Sequence, residues 1–421
     1  MIQGELKMQE LTILGMKAES GRWVLVAMGL LINLCLGTIY SWSVFVKPLT
    51  DYFATELGTE VTANEVLMPF SVFLAFFAIA MPFTGKYIDK YGPRTMTVIG
   101  GVLTGMGWLL ASTVTSVEML YVVYGVIGGL GVGIAYGVPV AVSARWFPDR
   151  RGLAVGLTVL GFGFSAFLTA NIAGLLIESF GVMNTFRIFG IAFIILIVLF
   201  VLPLSFPPAN WIPPGWTPPA GGIHEVCECD RTAMLRAPAF YGLWICYFIG
   251  CLAGLMSISI AKPVGTEFEV APVLATMLVG FFAIFNGGGR PVFGLLTDRL
   301  NPRNTSVMSF VLIGAASVAL WQASSVIVYI IAFAILWGCL GGWLAIAPTA
   351  TAKYFGTCDY PRCYGVVFLA YGAGAIAGPQ LAGFIKTTTG DYIGVFPFVA
   401  AFAVVGIIIA SLLLKPVQKT G

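Results

Sequence analysis

Apolar stretches of about twenty residues alternate with short polar segments along almost the whole chain, the length a helix needs to cross a hydrocarbon layer. On that ruler twelve spans are predicted, at residues 23–46, 64–85, 95–113, 118–143, 152–177, 185–205, 239–261, 272–296, 305–323, 326–351, 364–385 and 392–414. One long polar connection interrupts the rhythm. It contains Pro207, Pro208, Pro213, Pro214, Pro218 and Pro219, and reads as an extended linker, not a packed domain. The expected organisation is a first six-helix half at residues 1–205, a linker at 206–238 and a second six-helix half at 239–421.

Composition turns this pattern into a class. The 421 residues are 58% hydrophobic and 10% charged, with a mean hydropathy of +0.94, which lies outside soluble globular usage. An all-α membrane protein is expected. No short charged, apolar and small-residue leader precedes the first long run at Trp23, so that span is expected to be retained. The net charge of +3 gives no reason to expect a nucleic-acid partner. Cys35, Cys246, Cys251 and Cys339 fall in apolar spans, which argues against a disulfide framework. Of the 22 basic residues, seventeen fall on the side of the termini, four on the opposite side, and Arg290 stays within a span. Positive residues remain cytoplasmic, so both termini and the linker are placed there.

The chain is also duplicated. Gly85-Lys86-Tyr87-Ile88-Asp89-Lys90-Tyr91-Gly92-Pro93-Arg94 between the second and third spans recurs as Gly294-Leu295-Leu296-Thr297-Asp298-Arg299-Leu300-Asn301-Pro302-Arg303 between the eighth and ninth. The shift is 209 residues, and Pro82 and Pro139 reappear with it as Pro291 and Pro348. Arg145-Trp146-Phe147-Pro148 is echoed at an offset of 208 by Lys353-Tyr354-Phe355-Gly356. Two parallel six-helix repeats joined by a linker point to a secondary transporter whose site lies near midplane between the halves.

One residue carries the candidate chemistry. Arg290 is the only charge in residues 271–296, beside Asn286 and the glycines 287, 288 and 289. A charge at the centre of a spanning helix costs about 2.5–3.5 kcal/mol on insertion scales, so it is read as functional and in need of an anion. Asn286, at i−4, shares its helix face. Shifting Arg290 back by 209 residues gives Met81, so the first half supplies no matching cation.

The segment Gly85 to Arg94 resembles the Gly-x-x-x-Asp-Arg/Lys-x-Gly-x-Arg signature of the major facilitator superfamily. Finer resemblance comes from Gly37-Thr38-Ile39-Tyr40-Ser41-Trp42-Ser43, Gly131-Val132-Gly133-Ile134-Ala135-Tyr136-Gly137, residues 145–154 and Asn286-Gly287-Gly288-Gly289-Arg290-Pro291. These are similar to the oxalate:formate antiporter and monocarboxylate porter family, in which the arginine of helix 8 binds the substrate carboxylate. The resemblance also implies a bacterial inner (plasma) membrane location. Asp89, Arg94, Asp298 and Arg303 are assigned to gating, the acids facing a helix N-terminus and the cations anchoring at the cytoplasmic face.

The oxalate exchanger of that family pairs its arginine with a helix 11 lysine. When Arg362-Cys363-Tyr364-Gly365 is laid on the family's Arg-Asn-Tyr-Gly, the lysine position is Tyr371. A desolvated dianion beside one cation keeps an unpaired charge. A small monocarboxylate such as lactate or pyruvate is therefore the expected substrate, with Tyr40, Tyr124 and Tyr371 as candidate wall residues. Asn33 and Asn171 are expected to make interhelical hydrogen bonds, and glycines 129, 133, 137, 374 and 378, with Ala370, to allow close helix approach.

Proton symport makes electrical sense for an anion, and Glu267 and Glu269, placed at the start of span 8, are the candidate carriers. His224-Glu225-Val226-Cys227-Glu228-Cys229 lacks the second cluster a tetrahedral metal site needs, so no metal is expected. No phosphate-binding glycine loop ending in Lys-Ser/Thr is present, so neither an ATP-driven pump nor a bound cofactor is expected. The reading is a transporter and not an enzyme. Its alternatives are an oxalate:formate exchanger and a carboxylate sensor with a transporter fold.

Overall fold

The computed structural model describes residues 12–208, 211–214, 231–322, 325–355 and 360–414. Its long helices are α1 (Ala18–Leu36, continued by a 3-10 stretch Gly37–Val44), α2 (Ala63–Tyr91), α3 (Pro93–Ala111), α4 (Val117–Trp146), α5 (Arg151–Phe180) and α6 (Val182–Val201). After the linker come α7 (Pro238–Glu267), the run Pro272–Gln322, α10 (Val326–Phe355), α11 (Tyr360–Thr389) and α12 (Phe396–Leu413). The run Pro272–Gln322 breaks at Asn301, where φ is 69° and ψ 160°. Residues before the break form α8, and those after it α9. A helix lies in each of the twelve predicted windows, the sixth window running past the end of its helix at Val201. Among the described residues, ten helices are long and apolar enough to cross a membrane, the broken run counting once and Pro93–Ala111 falling outside that set.

The duplication extends to the backbone. Gly92, which ends α2, has φ 79° and ψ 163°, followed by Pro93 at the first position of α3. Asn301 and Pro302 occupy the same places at the 209-residue shift, with nearly the same dihedrals. This φ/ψ region is almost confined to glycine, because Cβ otherwise crowds the backbone. Asn301 offsets part of that strain by accepting the Asn304 N–H at 3.1 Å through its side chain.

Packing repeats as well. In the first half α1 packs on α5, α2 on α4 and α3 on α6; in the second, α7 packs on α11, α8 on α10 and α9 on α12. The halves meet along α2 with α11 and along α5 with α8. Gly129 and Gly133 of α4 lie against Phe73 and Phe77 of α2, while Gly374 and Gly378 of α11 lie against Leu252 of α7. These predicted glycine faces therefore tighten each half internally. The contacts between halves use other glycines: Gly365, Gly372 and Gly383 of α11 face Pro82, Ala78 and Asn64, and Gly174 of α5 faces Thr276. Asn33 bridges helices as expected, donating to the Thr158 carbonyl at 3.1 Å. Asn171 instead donates within its own helix, to Phe167 O at 3.0 Å.

The end of the first half near the start of α1 is laced by cations and aromatics. Arg22 makes a forked ion pair with Asp149, Nη1 to Oδ1 at 2.6 Å and Nη2 to Oδ2 at 2.8 Å. The same Nη1 donates to Trp146 O at 3.0 Å, and the guanidinium lies 4.3 Å over the Phe147 ring. Hydrogen bonds from Arg22 hold the Asp149 carboxyl below its usual pKa range.

Candidate substrate site

Two sequence features bring the second half's cation to the first half. Glycine at 287 lets α8 lie against Leu160 and Phe164 of α5, and glycine at 163 lets α5 approach Asn286, Gly287 and Arg290 in return. Arg290 is 8% exposed, so its charge is almost wholly removed from solvent. Its Nη1 donates to the Val159 carbonyl of α5 at 2.7 Å. Among the described residues, neither Nε nor Nη2 makes a hydrogen bond. These two nitrogens form the side edge of the guanidinium, the edge that grips both oxygens of one carboxylate. Leaving such a donor buried and unpaired costs about 1–3 kcal/mol.

Asn286 completes the polar edge. Its Nδ2 donates to Trp337 O of α10 at 3.2 Å, which fixes the amide's orientation because the oxygen facing that carbonyl would be repelled. Oδ1 is left as a buried acceptor without a donor among the described residues. An atom at the Cβ position of Gly163 would lie 2.8 Å from this oxygen and 3.1 Å from Arg290 Nε. Acceptor and donor edge therefore both seat against α5 at Gly163.

An aromatic wall adjoins the edge. At Gly37 α1 tightens into its 3-10 stretch, because the missing side chain lets the backbone press on Phe162 of α5. Tyr40 on that stretch is fully buried, lies edge-on to Phe162 at 5.1 Å and shares a 2.9 Å hydroxyl hydrogen bond with Tyr371 of α11. Tyr371 stacks on Phe368 at 4.9 Å and meets Phe77 of α2 at 5.8 Å. The position where the resemblance puts a lysine thus holds a phenol engaged across the halves. Tyr136 of α4 packs on Phe77 and Phe162 and lies beside the Arg290 guanidinium.

Arg290, Asn286, Tyr40 and Tyr371 are thereby brought together, and Tyr124 is not. Tyr124 sits in a separate aromatic cluster of the first half, 4.8 Å from Trp42 and 5.0 Å from both Phe73 and Trp108. The π-helical stretch Tyr121–Gly128 at the start of α4 leads it there. Sequence reasoning missed Tyr136, Phe162 and Gly163. Tyr136 lies inside the family-like segment 131–137, and the alternation Gly161-Phe162-Gly163-Phe164 was a signal for close backbone approach.

The carboxylates outside the centre have their own partners. Glu267 ends α7, which runs through Pro263 beyond the predicted boundary, so it does not open span 8. It accepts from Lys386 Nζ at 2.6 Å and from the Tyr392 amide at 2.9 Å, tying α7 to the α11–α12 connection. Glu269 is exposed in the following turn, at φ 60°. Asp298 faces Lys353 Nζ of α10 at 3.2 Å. Arg94 Nε donates to Leu204 O at 2.9 Å, and Arg303 is exposed at the start of α9. The side chain of Asp89 and the segment His224 to Cys229 lie outside the described residues.

Comparison with known proteins fits this geometry. The family model of the Major Facilitator Superfamily matches residues 26–347 and, in a second overlapping match, 243–420. The oxalate:formate antiporter of Oxalobacter formigenes is 30% identical over 378 residues, covering 88% of this chain and 86% of its own. Monocarboxylate transporter 12 of Xenopus laevis is 23% identical, covering 89% and 84%. Among solved structures, an inward-facing bacterial homologue of the lysosomal transporter Spinster superposes with a TM-score of 0.68 at 15% identity, covering 96% of this chain and 99% of that one. The D-xylose-proton symporter gives 0.68 at 14% identity, covering 94% and 98%; both likenesses speak to the fold alone. The chain belongs to the major facilitator superfamily, as a multi-pass membrane transporter of the oxalate:formate and monocarboxylate type and not an enzyme.

Proposed function

We propose that the protein carries small monocarboxylates of the lactate or pyruvate kind by alternating access, with Arg290 as the carboxylate anchor. The observation that carries this reading is the unpartnered Nε and Nη2 edge of a buried arginine between the halves. One fork matches one carboxylate, and a charge-assisted bidentate pair is roughly twice as strong as neutral hydrogen bonds. Asn286 Oδ1 accepts from a hydroxyl on the remainder of the substrate, while Tyr40, Tyr136, Tyr371 and Phe162 enclose its small apolar part.

The rest of the transport cycle is part of the same reading. The halves 1–205 and 239–421 rock about the site, with both termini and the linker 206–238 on the cytoplasmic side of the inner membrane. Asp89, Arg94, Asp298 and Arg303 control opening on that side. A proton accompanies the anion, because moving a lone negative charge inward against an inside-negative potential costs about 2.3 kcal/mol per 100 mV. Glu267, held by Lys386 and the Tyr392 amide, serves better as a fastener than as its carrier.

The 30% identity to the oxalate:formate antiporter favours a second reading, exchange of a dianion for a monoanion. Tyr371 weighs against it, since a second carboxylate would face a phenol. Counterflow into proteoliposomes with labelled lactate, pyruvate, formate and oxalate, with and without a pH gradient, separates the two. The first reading predicts gradient-stimulated uptake of the monocarboxylates and none of oxalate. Oxalate uptake exchanged against formate and indifferent to pH would replace it with the second.

A further inference from the structure

Gly163 occupies a place that the mechanism above does not use. It lies on α5 one turn beyond Val159, whose carbonyl holds Arg290 Nη1, and immediately after Phe162, whose ring meets both Tyr40 and Tyr136. Its φ is not positive, so the backbone does not require glycine there. What it meets does. A Cβ at this position would stand 2.8 Å from Asn286 Oδ1, 3.1 Å from Arg290 Nε and 3.1 Å from Gly287 Cα. Two of these neighbours are the unpartnered acceptor and an unpartnered donor of the site. Neither yields easily, because Asn286 is held by Trp337 O and Arg290 by Val159 O. The third is backbone.

We infer that Gly163 is a specificity-determining residue: its missing side chain lets Asn286 and Arg290 seat directly against α5, which keeps the anchor back far enough to admit acids longer than formate. This rests on the monocarboxylate reading above and names what sets its upper size. The first half contributes to that limit by an absence of atoms, opposite a second half that contributes the charge. With a methyl at 163, the carboxylate is pushed away from α5 toward the aromatic wall. A one-carbon acid still fits in the remaining depth, whereas a three-carbon acid meets Phe162 and the Tyr40–Tyr371 pair.

The test compares lactate and formate counterflow in proteoliposomes carrying the full chain, the Gly163→Ala variant and a Gly156→Ala control. A Cβ on Gly156, also on α5, would meet nothing within 4 Å, so the control isolates any effect of alanine on the helix itself. Gly163→Ala is expected to lower the lactate-to-formate uptake ratio by about tenfold or more, the effect of one methyl group in a shaped pocket, and Gly156→Ala to leave the ratio unchanged. An unchanged ratio in Gly163→Ala, whether total uptake persists or both acids fall in parallel, overturns the inference.

Should Gly163→Ala fail to accumulate, the Gly163→Ala/Asn286→Ala double variant removes the closest clash and is compared with Asn286→Ala alone. A lower ratio in the double variant supports the inference, and equal ratios reject it. An Arg290→Gln control separates the two levels. If it leaves uptake intact, the carboxylate reading itself fails; if it abolishes uptake while Gly163→Ala keeps the wild-type ratio, only the role of Gly163 fails.

Discussion

In the proposed site, Arg290 and Tyr371 divide the recognition problem between a charge and a neutral wall. An arginine presents a rigid fork, a lysine a point charge, so Arg290→Lys keeps the charge while losing the side-on grip. Transport by Arg290→Lys is predicted to survive with its KM for lactate raised by about tenfold or more, read from initial uptake rates. A wild-type KM would mean that charge alone suffices. Tyr371→Lys places a second cation near the fork and breaks the hydroxyl pair with Tyr40. It is predicted to gain oxalate uptake while losing lactate uptake, and an unchanged acid profile would remove Tyr371 from the specificity argument. Arg290 was legible in the sequence because a lone charge stands out in an apolar helix. Tyr136 and Gly163 were not, because what each side chain or gap faces depends on how α4, α5 and α8 cross.

Helix positions were legible from hydropathy alone, but their internal irregularities were not. The 3-10 stretch Gly37–Val44 aims Tyr40 at Tyr371, and its cause is the contact between Gly37 and Phe162, far apart in sequence. The break at Asn301 is different: the duplicated Gly92-Pro93 and Asn301-Pro302 pairs already marked it. Asn301→Ala loses the cap on Asn304 and keeps the strained dihedrals, so it is predicted to destabilise the protein by about 1–2 kcal/mol. Asn301→Gly relieves the strain and is predicted to be nearly neutral. Thermal midpoints of the two variants in detergent check the order, which equal midpoints would contradict.

The Arg22–Asp149 pair carries an element-scale prediction of its own, since it fastens the start of α1 to the loop between α4 and α5. Asp149's folded pKa is lowered, first by hydrogen bonds from Arg22, so its contribution is full above the unfolded carboxylate range. That contribution is lost as the pH falls through the lowered value, below about pH 4. Asp149→Asn is predicted to lower the thermal midpoint at neutral pH and to flatten its acid dependence in that window. An acid profile unchanged by the substitution would show that other carboxylates control it.

At the scale of the whole molecule, duplication and asymmetry act together. The two halves share their turn geometry and packing order, yet among the described residues it is the second that places a buried cation, Arg290, where the halves meet. Both Arg290 to Val159 and Tyr371 to Tyr40 are hydrogen bonds across the halves, so opening the site on either side strains contacts at its centre. Substrate bound to the Arg290 fork would offset that strain by satisfying donors that the protein leaves unpaired. In the proposed cycle, the glycine contacts between α2 and α11 and between α5 and α8 would provide smooth surfaces for rocking. The most direct test is counterflow of labelled lactate by wild-type protein and by Arg290→Gln, reconstituted at equal amounts with matched thermal midpoints. The account predicts that wild-type vesicles accumulate label and that Arg290→Gln reduces accumulation to the level of empty vesicles; undiminished accumulation by Arg290→Gln would contradict it.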